Sequence, residues 1–486
     1  MRVVLDPSAC RIDGGRVLLA GSPLTLFRLG PAGQQAVEAI AAGQEVPPGA
    51  QPLVDRLIDT GAAHPRPAGE RFTAADVTVV IPVHGQDPST VLSGVGPAAA
   101  VVIFDDASQP PVAGPPSVTV LRHDVNQGPA AARTTGVATV TTPLVAFVDA
   151  DCRPTAGWLA PLLAHFDDDR VALAAPRITT EPTPGTLARY DAVRNPLDLG
   201  PSEARIAPGT RVSYVPGAAL VVRVAALEAV GGFDRTMRVG EDVDLVWRLV
   251  ERGWRCRYEP RSVVTHRPRS SLRGFVRQRA GYGRSAAALD RRHPGAVPPT
   301  TLGPWTAAAW GLAALGHPAV GAAAGMVPAA KLRRALPPGP ERDVLALRLT
   351  AGGLLRGGEP LASAITRAWW PPALVAGLAV RRLRGPLAAA AVLPPLIDWV
   401  RGRRASSGGL DPLRYLALRL LDDASYGAGV WAGAIESRRA GPLLPGWRRG
   451  RSMGISRAAV PDPATEPREN RVAGSDRPPG SGLSGR

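Results

Sequence analysis

Residues 143–152 read PLVAFVDADC. An apolar run this continuous, closed by polar residues, predicts a strand buried on both faces, as parallel strands are once helices cover them. It ends on Asp149 and Asp151, two carboxylates spaced i, i+2 at the C-terminal end of the strand. Three similar runs precede it: DVTVVIPV at 76–83, AAAVVIFDD at 98–106 and VTVLRHD at 118–124. Between the second and the last, residues 128–140 have helical character. Buried strands alternating with helices predict an α/β fold with a mostly parallel, Rossmann-like sheet and a ligand crevice at the strand C-termini. Asp105-Asp106 and Asp149-Ala150-Asp151 both fall at such ends. Carboxylates there can offer oxygens to Mg2+ or Mn2+, which use few carboxylates and complete their shell with diphosphate oxygens. One such pair is usually a cap or a turn; two in one sheet are harder to dismiss.

A third acidic element follows. GEDVD at 240–244 opens LVWRLVERGW, in which Leu245, Val246, Leu249 and Val250 share one helical face. That sets Glu241 and Asp242 at a helix N-terminus, where the dipole stabilises anions. The residues alone allow an ordinary helix start or a carboxylate held as a general base.

The string VTVVIPVHG, IFDDAS, NQGPAAARTTG, VAFVDADC, GAALVVRVAALEAVGGFD, GEDVDLVWRL, in this order across residues 76–290, closely resembles the family 2 glycosyltransferases of GT-A fold. The resemblance implies a nucleotide-sugar site in which Pro82–His84 and Asp106 line the base, with Asp106 on the uracil edge, and Arg133 lies near the diphosphate. It makes Asp149 and Asp151 the D-x-D motif, Asp151 being the more direct metal ligand, and sets His266 near the metal. Asp242, beside Glu241, becomes the expected base of an inverting displacement. Processive members carry Q-x-x-R-W after the base; here VRQRAGYGRSAAAL has Gln278 and Arg279 but no tryptophan, which argues against cellulose-synthase-like processivity. Arg277, Arg279 and Arg284 form either a solvated helix face or contacts to diphosphate or acceptor.

Outside this region the chain divides by composition. Residues 1–70 read as short strands RVVLDPS and GRVLLAG around a turn at Asp13-Gly14-Gly15, then two small glycine-ended helices and a linker from His64 to Glu70. The order suggests a winged-helix unit, and LLAGSPLTLFRLGPAGQQAVEAI resembles PqqD-like peptide-recognition domains. With the transferase at 76–295 and an Ala/Arg-rich region at 300–450, the layout resembles the mycofactocin-system glycosyltransferases of actinobacteria. That implies a UDP-glucose donor, premycofactocin as acceptor and β-1,4-linked glucose as product. A polyprenyl-phosphate or cell-wall glycan acceptor is the alternative, and a non-catalytic peptide-binding scaffold the reading outside enzymes. Residues 456–486, rich in Pro, Gly and Ser, read as disordered.

Charge and hydropathy bear on partners. The three cysteines, Cys10, Cys152 and Cys256, are isolated, which excludes a disulfide framework. Residues 331–451 hold 20 basic and 8 acidic residues, so +12 of the net +16 lies there. No signal peptide is expected from MRVVLDPSACRIDGG. Residues 302–330 carry no charge and are long enough to cross a bilayer, which takes about 20 residues. They are also rich in Ala and Gly and contain His317-Pro318, so Ala-rich helices packed in a soluble domain are the alternative. Runs at 368–380 and 385–397 are split by Arg381, Arg382 and Arg384, a pattern suited to an interfacial helix pair. Trp369, Trp370, Trp399, Trp431 and Trp447 lie beside apolar runs, which disfavours nucleic acid. The expectation is an anionic membrane partner, with the catalytic domain on the cytoplasmic side of the cell membrane.

Overall fold

The computed structural model describes residues 2–336, 338–339, 341–405, 409–447 and 455–457. The first strands are β1 (Arg2–Leu5), β2 (Cys10–Ile12), β3 (Val17–Ala20) and β4 (Thr25–Arg28), followed by helices α1 (Pro31–Ala41) and α2 (Gln51–Thr60) and strand β5 (Ala63–Arg66). Val3, Leu18, Phe27, Val37, Ile40, Leu57 and Ile58 fill their common core. Gly61 closes α2 in the left-handed conformation (φ 71°), which glycine enters without a Cβ penalty.

One pairing differs from the sequence expectation. The turn at Asp13–Gly15 is present, but it joins β2 to β3. Strand β1 instead pairs antiparallel with β5, with Val3 opposite Pro65 and Val4 opposite His64. The linker expected from His64 therefore begins as a strand. A tight turn can zip only the residues that flank it, so the more distant β1 needs another ladder for its backbone groups.

The body follows, with β6 (Val77–Val83), α3 (Ser89–Val95), β7 (Ala100–Asp106), β8 (Thr119–His123), α4 (Pro129–Val137), β9 (Leu144–Val148), β10 (Cys152–Pro154), α5 (Leu159–Leu163), β11 (Val171–Thr180), α6 (Thr186–Arg194), β12 (Ala204–Arg205), β13 (Ala219–Arg223), α7 (Val224–Ala229), α8 (Glu241–Glu251), β14 (Arg255–His266) and α9 (Leu272–Arg292). The sheet order is β10-β14-β11-β13-β9-β6-β7-β8, with β12 beside β14. The four runs read from the sequence are the parallel strands β8, β7, β6 and β9. Beyond β9 the sheet is mixed: β13 runs antiparallel to both β9 and β11. All seven residues of β6 are buried, because both sheet faces are covered. Val80, Phe147, Leu220 and Leu245 belong to one core; Val79, Ile81, Trp158 and Phe166 belong to the other. The chain leaves β6 toward β7 on one side and β9 on the other, which opens a crevice at their C-terminal ends.

The remainder holds β15 (Thr301–Leu302), α10 (Pro304–Ala314), α11 (Pro318–Ala335), α12 (Arg342–Arg367), α13 (Trp370–Ala379), α14 (Arg384–Ala405), α15 (Pro412–Ser437), β16 (Gly446–Trp447) and β17 (Ile455–Arg457), the last parallel to β4. The single span considered for 302–330 is corrected here: Gly316, at φ 92°, and Pro318 divide it into α10 and α11. Among the described residues no helix is long and apolar enough to cross a membrane. Helices α13 and α14 join through Arg381–Leu383 and leave Leu374, Val375, Leu378, Leu393, Ile397 and Val400 exposed. Helix α15 lies against α9 at very short range; a Cβ on Gly429 would sit 1.9 Å from the Ala280 carbonyl oxygen. The expected disordered tail, 456–486, lies outside the described residues except for Ser456 and Arg457 in β17.

Candidate active site

Three local causes bring the acidic motifs together. Strand β9 ends at Val148 and releases Asp149 and Asp151 at the crevice. Strand β10 then pairs with the end of β14, Cys152 opposite His266, which carries the histidine beside Asp151. His266 Nε2 lies 3.5 Å from Asp151 Oδ2. The third cause is Gly240, at φ 84° in a site where a Cβ would press on Ser285 at 3.1 Å. It turns the chain into α8 and presents Glu241 and Asp242 at the helix start.

Arg133 of α4 ties these parts together. It is 2% exposed; Nη1 donates to Glu241 Oε1 at 2.6 Å, and Nη2 donates to Asp149 Oδ1 at 2.5 Å and to the Gly217 carbonyl at 3.1 Å. Burial disfavours its charge, but Asp149, Glu241 and Asp242 outweigh that and raise its pKa. Burial, then the neighbouring Asp242, lifts Glu241 to about 7 against the pull of Arg133. Asp149 is also raised, first by burial and then by Asp151, with Arg133 opposing. At Asp151 burial raises the pKa, but hydrogen bonding and charge from His266, with Arg269, hold it below the usual carboxylate range. Asp242 accepts from the Gly217 amide at 2.6 Å and from the Val243 amide at 2.8 Å, and it borders the cavity.

The cavity measures ≈ 660 Å³. Of the residues singled out in the sequence, Arg133, Asp149, Asp151, Glu241, Asp242, His266, Gln278 and Arg279 line it. Pro82, His84 and Asp106 do not; they lie at the C-terminal ends of β6 and β7. Asp106 is buried and accepts from the amides of Gln127 (2.9 Å) and Gly128 (2.7 Å), while its carbonyl meets His84 Nδ1 at 2.8 Å. Arg279 is 3% exposed and bridges Asp191 (2.7 Å) and Asp422 (3.1 Å), so its charge is committed within the protein. Arg284 pairs with Glu436 on the surface at 2.8 Å.

Among the described residues no group of three or more His, Cys, Asp and Glu could hold a metal ion. Asp151 and His266 nevertheless fit one: a carboxylate and an imidazole 3.5 Å apart on the cavity wall leave most of an octahedral shell to diphosphate oxygens and water. Asp149, bound to Arg133, is less available to it.

Residues that the sequence reading missed also line the cavity: Tyr214, Tyr282, Arg367, Arg419, Asp422 and Tyr426. Tyr282 had a signal, since it lies four residues after Gln278 on the same helix and shares its face. In α15 the pairs Arg419/Asp423 and Asp422/Tyr426 recur at i, i+4, a polar stripe that marks an inward polar face.

Residues 97–230 match the family model described as Glycosyl transferase family 2. The chain is similar to the Pre-mycofactocin glycosyltransferase of Mycobacterium tuberculosis, from strains CDC 1551 / Oshkosh and ATCC 25618 / H37Rv. The identity is 41% over 464 residues, covering 91% of this chain and 97% of each relative. Among solved structures it is similar to GalNAc-T7 with UDP, GalNAc and Mn2+, at 18% identity over 39% of this chain and 43% of the other, with a TM-score of 0.31. A mannosyltransferase from Pyrobaculum calidifontis in complex with GDP-Man and Mn2+ matches at 17% identity over 70% of this chain and 90% of its own, with a TM-score of 0.37.

Proposed function

This chain belongs to the family of the pre-mycofactocin glycosyltransferases and is a glycosyltransferase, and on that premise we propose that it transfers glucose from UDP-glucose to premycofactocin, building a β-1,4-linked chain. The observation that carries the reading is Arg133, which joins Asp149 of the D-x-D to Glu241 beside Asp242 across one cavity. In the proposed reaction the acceptor hydroxyl gives its proton to an Asp242 oxygen, and its own oxygen bonds to the anomeric carbon. The bond from that carbon to the diphosphate breaks, and its electron pair leaves on UDP. Attack opposite the leaving group turns an α-linked donor into a β-linked product.

Asp151 and His266 would hold Mg2+ or Mn2+, which when bound neutralises charge on the departing diphosphate. Arg269, with Nη2 3.4 Å from Asp151 Oδ2, adds a partly exposed positive charge at that end. Pro82, His84 and Asp106 are proposed to frame the uracil, Arg133 and Asp149 to organise the diphosphate side, and Gln278 to contact the sugar. Glu241 holds Arg133 in place.

The test is UDP release by the purified full chain with UDP-glucose, Mn2+ or Mg2+, and premycofactocin. Turnover is expected, with Asp242→Asn lowering it about 10²–10⁴-fold, as loss of a general base does. Equal turnover in the variant would remove Asp242 from its role, and turnover only with a polyprenyl phosphate would replace the acceptor.

For the C-terminal region we propose contact with the anionic cytoplasmic face of the cell membrane. The support is the exposed apolar face of α13 and α14 beside Arg381, Arg382 and Arg384, apolar surface and positive charge together. The full chain is expected to sediment with phosphatidylglycerol-containing vesicles, and Leu374→Ser with Leu378→Ser to weaken this at least fivefold. Equal sedimentation of the unaltered chain and the variant, or self-association through this face without vesicles, would overturn it.

A further inference from the structure

Beyond the acidic motifs, the cavity has a second wall that the proposed reaction does not use. Tyr214, Tyr282 and Tyr426 line it, and among the described residues none of their hydroxyls has a hydrogen-bond partner within the protein. Tyr214 leaves 39% of its surface open, yet burial by the surrounding protein raises its hydroxyl to about 12. It lies within electrostatic range of Tyr426, Arg367 and Asp242. Tyr282 is likewise within range of Asp242 and Asp151. The Arg367 guanidinium carbon stands 3.9 Å from the centroid of the Tyr426 ring, a cation–π contact. Its Nε is 3.7 Å from Asp423 Oδ1, while a third of the side chain remains accessible.

Two of these residues come from the helical region after the transferase body, and their backbones are fixed by contacts that only glycine allows. A Cβ on Gly427 would fall 1.7 Å from the Arg367 carbonyl oxygen, and one on Gly283 would fall 2.0 Å from that of Tyr426. Helices α9, α12 and α15 are thus locked together at the positions that carry Tyr282, Arg367 and Tyr426 to the cavity. Flat faces with polar tips, held before the ligand arrives, suit a ring that stacks and hydrogen-bonds at its edge.

We infer that Tyr426 and Arg367 of the C-terminal helices, with Tyr214 and Tyr282, form the acceptor subsite and select a hydroxylated ring, aromatic or pyranose, that stacks on tyrosine and gives an edge oxygen to Arg367. The assignment rests on Asp242 acting as the base in the proposed transfer, since the tyrosines line the same cavity as Asp242 and two of them, Tyr214 and Tyr282, lie within electrostatic range of it. It gives the C-terminal region a part in choosing the acceptor.

The test uses the full chain. Calorimetric titration with premycofactocin and with p-nitrophenyl β-D-glucoside is expected to show binding of both. Tyr426→Leu and Arg367→Met should each weaken it about tenfold, and Tyr426→Phe, which keeps the ring, no more than threefold. In turnover the acceptor KM should rise by the same factors while the KM for UDP-glucose moves less than twofold. Binding of the glucoside alone, with the same losses in the variants, supports the subsite and removes premycofactocin as acceptor. Unaltered acceptor binding in Tyr426→Leu and Arg367→Met, parallel rises in both KM values, or no binding of either compound to the unaltered chain would overturn the inference.

Discussion

Arg133 is the residue on which the site's electrostatics turn. One guanidinium, 2% exposed, answers Asp149 and Glu241, which lie 92 residues apart in sequence. The carboxylates were legible because strand ends and helix starts leave local signatures; the tie was not, since nothing near residue 133 marks its partners. Arg133→Met keeps the packing length but strands the buried Glu241 and the half-buried Asp149, and a cost of about 3 kcal/mol is expected. The pH dependence fixes the cause. Glu241, at about 7 against its ordinary 4.5, holds a proton in the folded chain that it loses in the unfolded one. Its contribution is therefore full below pH 4.5 and declines as pH rises through 7. Urea denaturation should find Arg133→Met more damaging at pH 7.5 than at pH 5, and adding Glu241→Gln should remove most of that difference. A deficit that ignores pH would sink the account.

At the scale of elements, what was legible depended on whether an element's partner left a mark in sequence. The four parallel strands and α8 did, through apolar runs, interrupted in β8 by Arg122 and His123, and through helical spacing. The β1–β5 ladder did not, because pairing across 60 residues has no local signature. The division of 302–330 was only half visible, in Gly316 and His317-Pro318. The seam between α9 and α15 was hidden too, since closely packed glycines look like helix-weakening residues until both helices are in view. That seam gives a paired prediction. Gly429→Val drives a Cβ into the Ala280 carbonyl and is expected to cost about 3 kcal/mol, at the upper end for overpacking. Gly281→Ala, one position beyond Ala280 and facing open space, should instead gain up to about 1 kcal/mol from helix propensity. Chemical denaturation of both variants decides it; two gains of similar size would mean that helix propensity, and not the close approach, governs this seam.

At the scale of the whole molecule, the +16 charge divides: most lies after residue 330, while the cavity gathers carboxylates around a few committed arginines. The N-terminal unit is held to the body by ion pairs of the same economy, Arg66 with Glu203, Arg211 with Asp6, and Arg255 with Asp55 and Asp59. At its centre His64, fully buried, has Nε2 2.8 Å from Asp6 Oδ2 and Nδ1 3.0 Å from Arg257 Nη2. Arginine can only donate, so Nδ1 accepts, Nε2 donates, and the ring is neutral. Burial, then Arg257, keeps the His64 pKa below 6.5, with Asp6 and Glu203 pulling the other way. His165, beside Glu259, is lowered by burial first and by Arg257. Histidines depressed in this way leave the interface intact above pH 6.5 and weaken it as pH falls below that value, by about 1.4 kcal/mol per pH unit for each. Asp6, held at about 2 by hydrogen bonds from Ser8 and His64 that outweigh its burial, stays ionised throughout this window. Glu241 acts in the opposite sense, so total stability would blur the effect and a local measurement is needed. Amide hydrogen exchange in β1 and β5 should therefore quicken between pH 7.5 and 5.5, after correction for the intrinsic rate, while β6 and β9 hold. His64→Gln can still accept from Arg257 and donate to Asp6, and it should remove about half of that change. Exchange in β1 and β5 that does not respond to pH would show that the two units are not joined through neutral histidines.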